Sequence, residues 1–172
     1  MRLLFIALMA SLTVGACSTP TSSPHASPPS RSPSAGATMV HGGCGSTQAY
    51  KGGVPAWLDA AGAHNNPNFL PYVIANPPIA GAFLWTDPLR VGHPVDPTNK
   101  ILVVVGEPRD GSDLRIVGHP VGAMTPVVEV FQSAGSSPGE IYPSIVDVPK
   151  PGCWHFDLWW AGHAAAVELS YT

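Results

Sequence analysis

From residue 69 onward the sequence is cut into apolar runs of about four to eight residues, and every cut contains Gly, Pro, Asn or Asp. A helix needs ten or more uninterrupted residues, whereas a strand is complete within one such run. The spacing predicts strands at Phe69–Ala75, Ile79–Trp85, Lys100–Val105, Leu114–Val117, Pro126–Phe131, Ile141–Val148, Cys153–Trp160 and Ala164–Tyr171. Pro143 confines the sixth of these to a sheet edge, because proline has no N–H to give a central ladder. Val54–Ala63 reads as a short helix with Pro55 in its first turn, where a missing N–H costs nothing. Many short strands in one small domain, with frequent turns, predict an all-β fold: an antiparallel immunoglobulin-like β-sandwich with one short N-terminal helix.

The last two runs alternate most clearly. Trp154, Phe156, Leu158 and Trp160 fall on one face, with His155, Asp157 and Trp159 on the other. In the partner run Val167, Leu169 and Tyr171 share a face opposite Glu168 and Ser170, and Ala161-Gly162-His163 is expected to link the two as a hairpin. One face is therefore core and the other solvent or interface. Trp159, on the polar face, is either covered by a neighbouring loop or part of an interaction surface with His155 and His163.

The first part of the chain reads differently. Met1-Arg2 gives a positive end, Leu3 to Val14 is apolar, and Val14-Gly15-Ala16 precedes Cys17. A run this short matches a signal h-region and not a membrane span, which needs roughly 20 residues. Small residues directly before a cysteine resemble the lipobox of bacterial lipoproteins, in which the cysteine is acylated and becomes the mature N-terminus. The expectation is a lipoprotein signal peptide over residues 1–16 and lipidation at Cys17; the alternative is an ordinary cleaved signal. After Cys17, residues 18–38 are Ser, Pro, Thr and Ala with single His25, Arg31 and Gly36 and no large apolar side chain, so residues 17–38 read as a disordered, polyproline-biased tether. Residues 39–172 are then the domain. This build places the protein on the extracytoplasmic face of the cell membrane, held there by lipid.

With Cys17 lipidated, Cys44 and Cys153 remain, and an oxidising compartment makes a disulfide the economical reading. A thiolate metal ligand and two inert buried thiols are the alternatives. The chain has seven histidines, so a metal site has to be weighed. A soft copper or zinc set would draw on His119, Met124, Cys153, His155 and His163, although their spacing matches no compact zinc pattern. His93 and His119 both occur as Gly-His-Pro, which turn chemistry explains equally well.

Other chemistry finds little foothold. The net charge of −3 implies no polyanion partner, so nucleic acid is not expected. No nucleophile elbow, His-Glu-x-x-His or phosphate loop is present. Asp110 with Asp113 and Asp157 with Glu168 are carboxylate pairs better explained as a turn and a solvent face. Arg90, Arg109 and Arg115 could converge on an anion but are more simply paired with nearby Asp87, Asp110 and Asp113. The reading is a non-enzymatic binding or structural domain without cofactor, whose partners are the membrane through its lipid and an envelope protein, polymer or small ligand. A metal-binding lipoprotein and a hydrolase with an unfamiliar site are the alternatives.

Asn99-Lys100-Ile101-Leu102, Pro108-Arg109, His119-Pro120, Ser144-Ile145-Val146-Asp147-Val148-Pro149 and above all Pro151-Gly152-Cys153-Trp154, followed by Trp159-Trp160-Ala161-Gly162-His163, resemble a group of uncharacterised secreted or lipid-anchored proteins of high-GC Gram-positive bacteria. The resemblance covers most of Cys44 to Tyr171. It implies a β-sandwich at the cell surface and carries no activity and no catalytic residue.

Overall fold

A computed structural model describes residues 31–62 and 69–172. The leader, Cys17 and the tether up to residue 30 lie outside the described residues. Among those described, ten strands form two antiparallel sheets. The first sheet contains β1 (Thr38–Val40), β2 (Ala49–Lys51), β3 (Tyr72–Ile74), β4 (Ala80–Leu84), β5 (Lys100–Val105) and β8 (Ile141–Ile145), in the order β1-β2-β3-β4-β5-β8. The second contains β6 (Leu114–Pro120), β7 (Val128–Gln132), β9 (Gly152–Trp160) and β10 (His163–Tyr171), in the order β10-β9-β6-β7. One short helix, α1 (Ala56–Gly62), and a 3-10 turn at Ala134–Ser136 complete the elements among the described residues; the expected helix end at Ala63 lies outside them. This is the expected antiparallel β-sandwich, immunoglobulin-like in its two layers, with a five-strand meander making the first sheet the larger.

The main core lies between the sheets. Val73, Ala82, Leu84, Ile101, Val103 and Val105 from the first sheet pack in one cluster with Ile116, Trp154, Phe156, Leu158, Trp160, Val167 and Leu169 from the second. Each large side chain buried there contributes about 1.5–3 kcal/mol relative to exposure. The predicted inward set of β9 is correct, and Trp154 donates its indole N–H to the Lys150 carbonyl at 3.0 Å, which satisfies its one polar atom. The opposite face of the first sheet is also covered. There Leu58 of α1 packs with Tyr72, Phe83, Leu102 and Val104. Burial on both faces is why Lys100–Val105 reads as an unbroken apolar run instead of an alternating one.

Pro143 sits opposite Leu102, and β8 is an edge strand, as the missing N–H demands. The free edge of β10 is sealed by short segments instead of a strand. Ser170 N–H donates to Gly42 O (2.9 Å), Cys44 N–H to Glu168 O (3.2 Å), Asn76 and Ala166 exchange two 2.9 Å bonds, and Thr172 N–H reaches Leu89 O (2.9 Å). Such pairing removes the open ladder that would invite another chain.

Three expectations are corrected. The hairpin link is two residues, Ala161 (φ 44°) and Gly162 (φ 81°), with both φ positive as a type I′ turn requires; His163 is already in β10, paired with Trp160. Strands were not expected at β1 and β2, whose three-residue sequences are too short to show a pattern. The domain also begins before Met39: Ser34 N–H donates to Gly53 O at 2.8 Å, and Arg31 pairs with Glu107 at 2.7 Å while lying 6.0 Å from the Trp57 ring. The last eight residues assigned to the tether, 31–38, are therefore docked on the domain.

Candidate functional site

The outer face of the second sheet gathers the side chains that carry chemistry. Strand pairing arranges them in rows across β6, β9 and β10, because opposed residues point to the same side. Arg115, Trp159 and Ala164 form one row, Val117, Asp157 and Ala166 the next, and His119, His155 and Glu168 the third. Cys153, opposite Ser170, follows.

Cys153 is bonded to Cys44, with the two Cα atoms 5.8 Å apart. The disulfide reading holds, and the thiolate of Cys153 is consumed, so the soft copper set of Cys, two His and Met is excluded. His163 is also remote from the row. It pairs with Trp160 at the hairpin, its ring 5.5 Å from the indole, and lies five residues along β10 from Glu168, about 17 Å at strand rise. Met124 stands out from the β6–β7 loop at 73% exposure. Of the five candidates, the fold brings His119 and His155 side by side.

Trp159 has a structural explanation. The Arg115 guanidinium lies 5.1 Å from its ring centre and also bonds Glu129 at 2.6 Å. The tryptophan is therefore covered by a cross-strand cation rather than by a loop. Arg115 thus pairs with Glu129, while Arg109 donates to the Ile141 and Ser137 carbonyls, so the arginines do not converge on an anion. His163, on the inward parity of β10, is not part of one surface with Trp159 and His155.

The third row is more tightly organised. His155 Nδ1 lies 3.3 Å from Glu168 Oε1, and its Nε2 lies 3.3 Å from Asp157 Oδ1. Its ring stacks on His119 with centroids 5.1 Å apart and planes at 27°. His119 Nδ1 is 3.1 Å from the carbonyl of Pro120. Since a carbonyl only accepts, that nitrogen carries the hydrogen, and in the neutral ring the lone pair is on Nε2. One donor atom from each of His119, His155 and Asp157 lies within 4.8 Å of the others.

Glu168 is itself anchored. Its Oε2 accepts from Ser46 N–H at 2.5 Å and from Ser46 Oγ at 3.0 Å. The backbone bond from Ser46 is the largest influence on its carboxyl and holds it below the usual carboxylate range; burial pulls the other way, and bonds from the Ser46 hydroxyl and His155 add to the lowering. Gly45, at φ 57°, leaves room for this contact, since a Cβ there would collide with the Glu168 carboxylate. The residues 44–47 that present Ser46 are tied to β9 by the disulfide and to β10 by the Thr47 hydroxyl, which accepts from Glu168 N–H at 2.9 Å.

Neither of two surface clefts has the groups of a catalytic site. One, of about 320 Å³, is lined by His41, Asp87 and Ser170 among others, but no hydrogen bond joins those three side chains. The other, of about 390 Å³, contains His93 and Asp147, which pair directly, with no nucleophile beside them. The sequence expectation that no Gly-x-Ser-x-Gly occurs is corrected: Gly135-Ser136-Ser137-Pro138-Gly139 has those letters, yet it lies on the exposed 3-10 turn and its exit, not between a strand and a helix, so it does not form a nucleophile elbow. No protein-family model matches the chain, and no curated protein and no solved structure matches it.

Sequence reading treated Asp157 and Glu168 as solvent decoration and did not consider Ser46. The signal that finds Glu168 is the hairpin register: a two-residue Ala161-Gly162 turn puts 155 opposite 168, whereas a three-residue link puts it opposite 169.

Proposed function

We propose that this chain is a lipid-anchored protein of the cell envelope, acylated at Cys17, whose β-sandwich is a non-enzymatic binding module on the extracytoplasmic face of the membrane. The observation that carries the reading is the cysteine arrangement. Cys44 and Cys153 are joined, as suits an oxidising compartment, and the remaining cysteine stands directly after the small residues that close an apolar leader. Two or three acyl chains on Cys17 would anchor the protein firmly, each buried CH₂ contributing about 0.8 kcal/mol. The Ser/Pro segment would then hold the domain off the bilayer, consistent with the surface proteins that the Pro151-Gly152-Cys153-Trp154 segment resembles.

The binding reading is supported by where the polar chemistry lies. Histidines, carboxylates and a cation-covered tryptophan occupy one open sheet face, the outer side of β6, β9 and β10, instead of a deep pocket. An open face of this kind suits an envelope partner, polymer or small ligand. Membrane fractionation tests the anchor: the wild-type protein is expected in the detergent-soluble membrane fraction and incorporates labelled palmitate. Cys17→Ala is expected to lose the label and not to be processed as a lipoprotein. Equal labelling of both would overturn the reading.

A further inference from the structure

We propose that His119, His155 and Asp157 bind one divalent transition ion of borderline softness, with Glu168 as the positioning residue for His155. The inference deepens the binding reading of this sheet face and does not depend on the lipid anchor.

Three observations converge on it. First, the donor set is right: two imidazoles and one carboxylate are the ligands of open three-residue zinc sites and suit zinc or copper more than calcium or magnesium. Second, the geometry is nearly closed. Tetrahedral donors around an ion at ~2.0–2.1 Å sit about 3.3–3.4 Å apart. His155 Nε2 and Asp157 Oδ1 are already 3.3 Å apart, and the widest spacing in the trio is within 4.8 Å. These side chains are half-buried on a sheet face, so small side-chain rotations can draw them together without moving the backbone.

Third, both imidazoles are oriented as ligands by groups behind them. The Pro120 carbonyl takes the Nδ1 hydrogen of His119, and the Glu168 carboxylate lies at Nδ1 of His155. In His119 this leaves Nε2 to face a ligand, and in His155 Nε2 already faces Asp157 Oδ1. A carboxylate behind a ligating histidine is the usual outer partner of a zinc site and raises the basicity of the ring. The two 3.3 Å contacts of His155 are long for a charge-assisted pair, which would close to about 2.7–2.9 Å. The row is therefore a poor imidazolium clamp, whereas an ion between His155 and Asp157 would satisfy both. Glu168 cannot swing in as a fourth ligand without releasing Ser46, which assigns it to the outer role.

The test is calorimetric titration of ZnCl₂ into the detergent-purified, chelator-treated full-length protein with its disulfide intact. One saturable equivalent is expected for the wild type. His119→Ala and Asp157→Asn are expected to lose that equivalent, and Glu168→Gln to weaken it by about 10–100-fold, the usual effect of removing an outer partner. His93→Ala, on a separate corner beside Asp147, is expected to bind as the wild type does. Thermal unfolding of each variant without metal checks the fold, and should one variant fail to fold, the others on this solvent-facing row decide the question. Absence of a saturable equivalent in the wild type, or wild-type affinity in His119→Ala or Asp157→Asn, overturns the site, and wild-type affinity in Glu168→Gln overturns its positioning role, each leaving the Cys17 labelling result untouched.

Discussion

Removing the Cys44–Cys153 bond should cost more stability than any single side chain in the core. The bond joins residues 109 apart in sequence, and the chain-entropy relation gives ~4.8 kcal/mol at 25 °C for a loop of that size. The polar bonds that hold the same segment, from Cys44 N–H to Glu168 O and from Ser170 N–H to Gly42 O, survive the change, so they do not add to the loss. Cys153 is only half-buried, and serine in its place leaves little cavity. The expected loss for Cys44→Ser/Cys153→Ser is therefore about 4–5 kcal/mol, which at a typical urea slope of ~2 kcal/mol/M moves the midpoint down by roughly 2 M. Urea titration followed by the fluorescence of buried Trp154 and Trp160 reads this directly, and reduced wild-type protein should overlay the double variant. The slope should also rise, because an unlinked unfolded chain exposes more surface. A loss under about 1 kcal/mol would refute the reasoning and mean that strand-edge bonds alone hold the segment.

Other perturbations test other parts of the fold. Asn99 is fully buried, accepts from Arg90 N–H at 2.8 Å and donates to Arg90 O at 2.7 Å and Asp147 at 2.8 Å; Asn99→Ala strands these partners and should cost about 2–4 kcal/mol in a urea titration. Gly118→Ala would press a methyl group into the Phe156 ring and Val128 between the sheets, so its midpoint should fall by the equivalent of about 1–3 kcal/mol. Burial pushes the Tyr72 phenol up to about 12 and raises those of Tyr142 and Tyr171. A raised folded value favours the neutral phenol in the fold, so stability is complete below the ordinary value of 10.0 and is lost as pH climbs toward 12. Tyr171→Phe should flatten that alkaline limb in a pH series of thermal unfolding curves.

The layers of the fold were legible because they depend on short-range pattern. Lys100–Val105, the alternation of Trp154 to Trp160, and Pro143 at an edge all follow from what a single strand needs. The strands at Thr38–Val40 and Ala49–Lys51 were not legible, since three residues are too short to show a period and become a strand only when a neighbouring ladder accepts them. Arg31 is a similar case: its partner Glu107 is 76 residues away, and composition alone reads its segment as tether. The candidate site shows the same limit more sharply. His119 and His155 were both candidates, but their stacking depends on the β6–β9 register, and Glu168 enters only when the hairpin turn is two residues and not three. Cys153 and His163 were chosen by chemical type, and a disulfide and a strand parity removed them.

The central claim is that the chain is anchored by lipid at Cys17 and folded outside the cytosol. The intact mass of the protein purified from membranes tests it most directly. The account predicts a mature chain beginning at Cys17, carrying a diacylglyceryl group on its sulfur, with Cys44 and Cys153 unreactive to alkylation until reduced. An unmodified Cys17, or free thiols at Cys44 and Cys153 in the native protein, would contradict it.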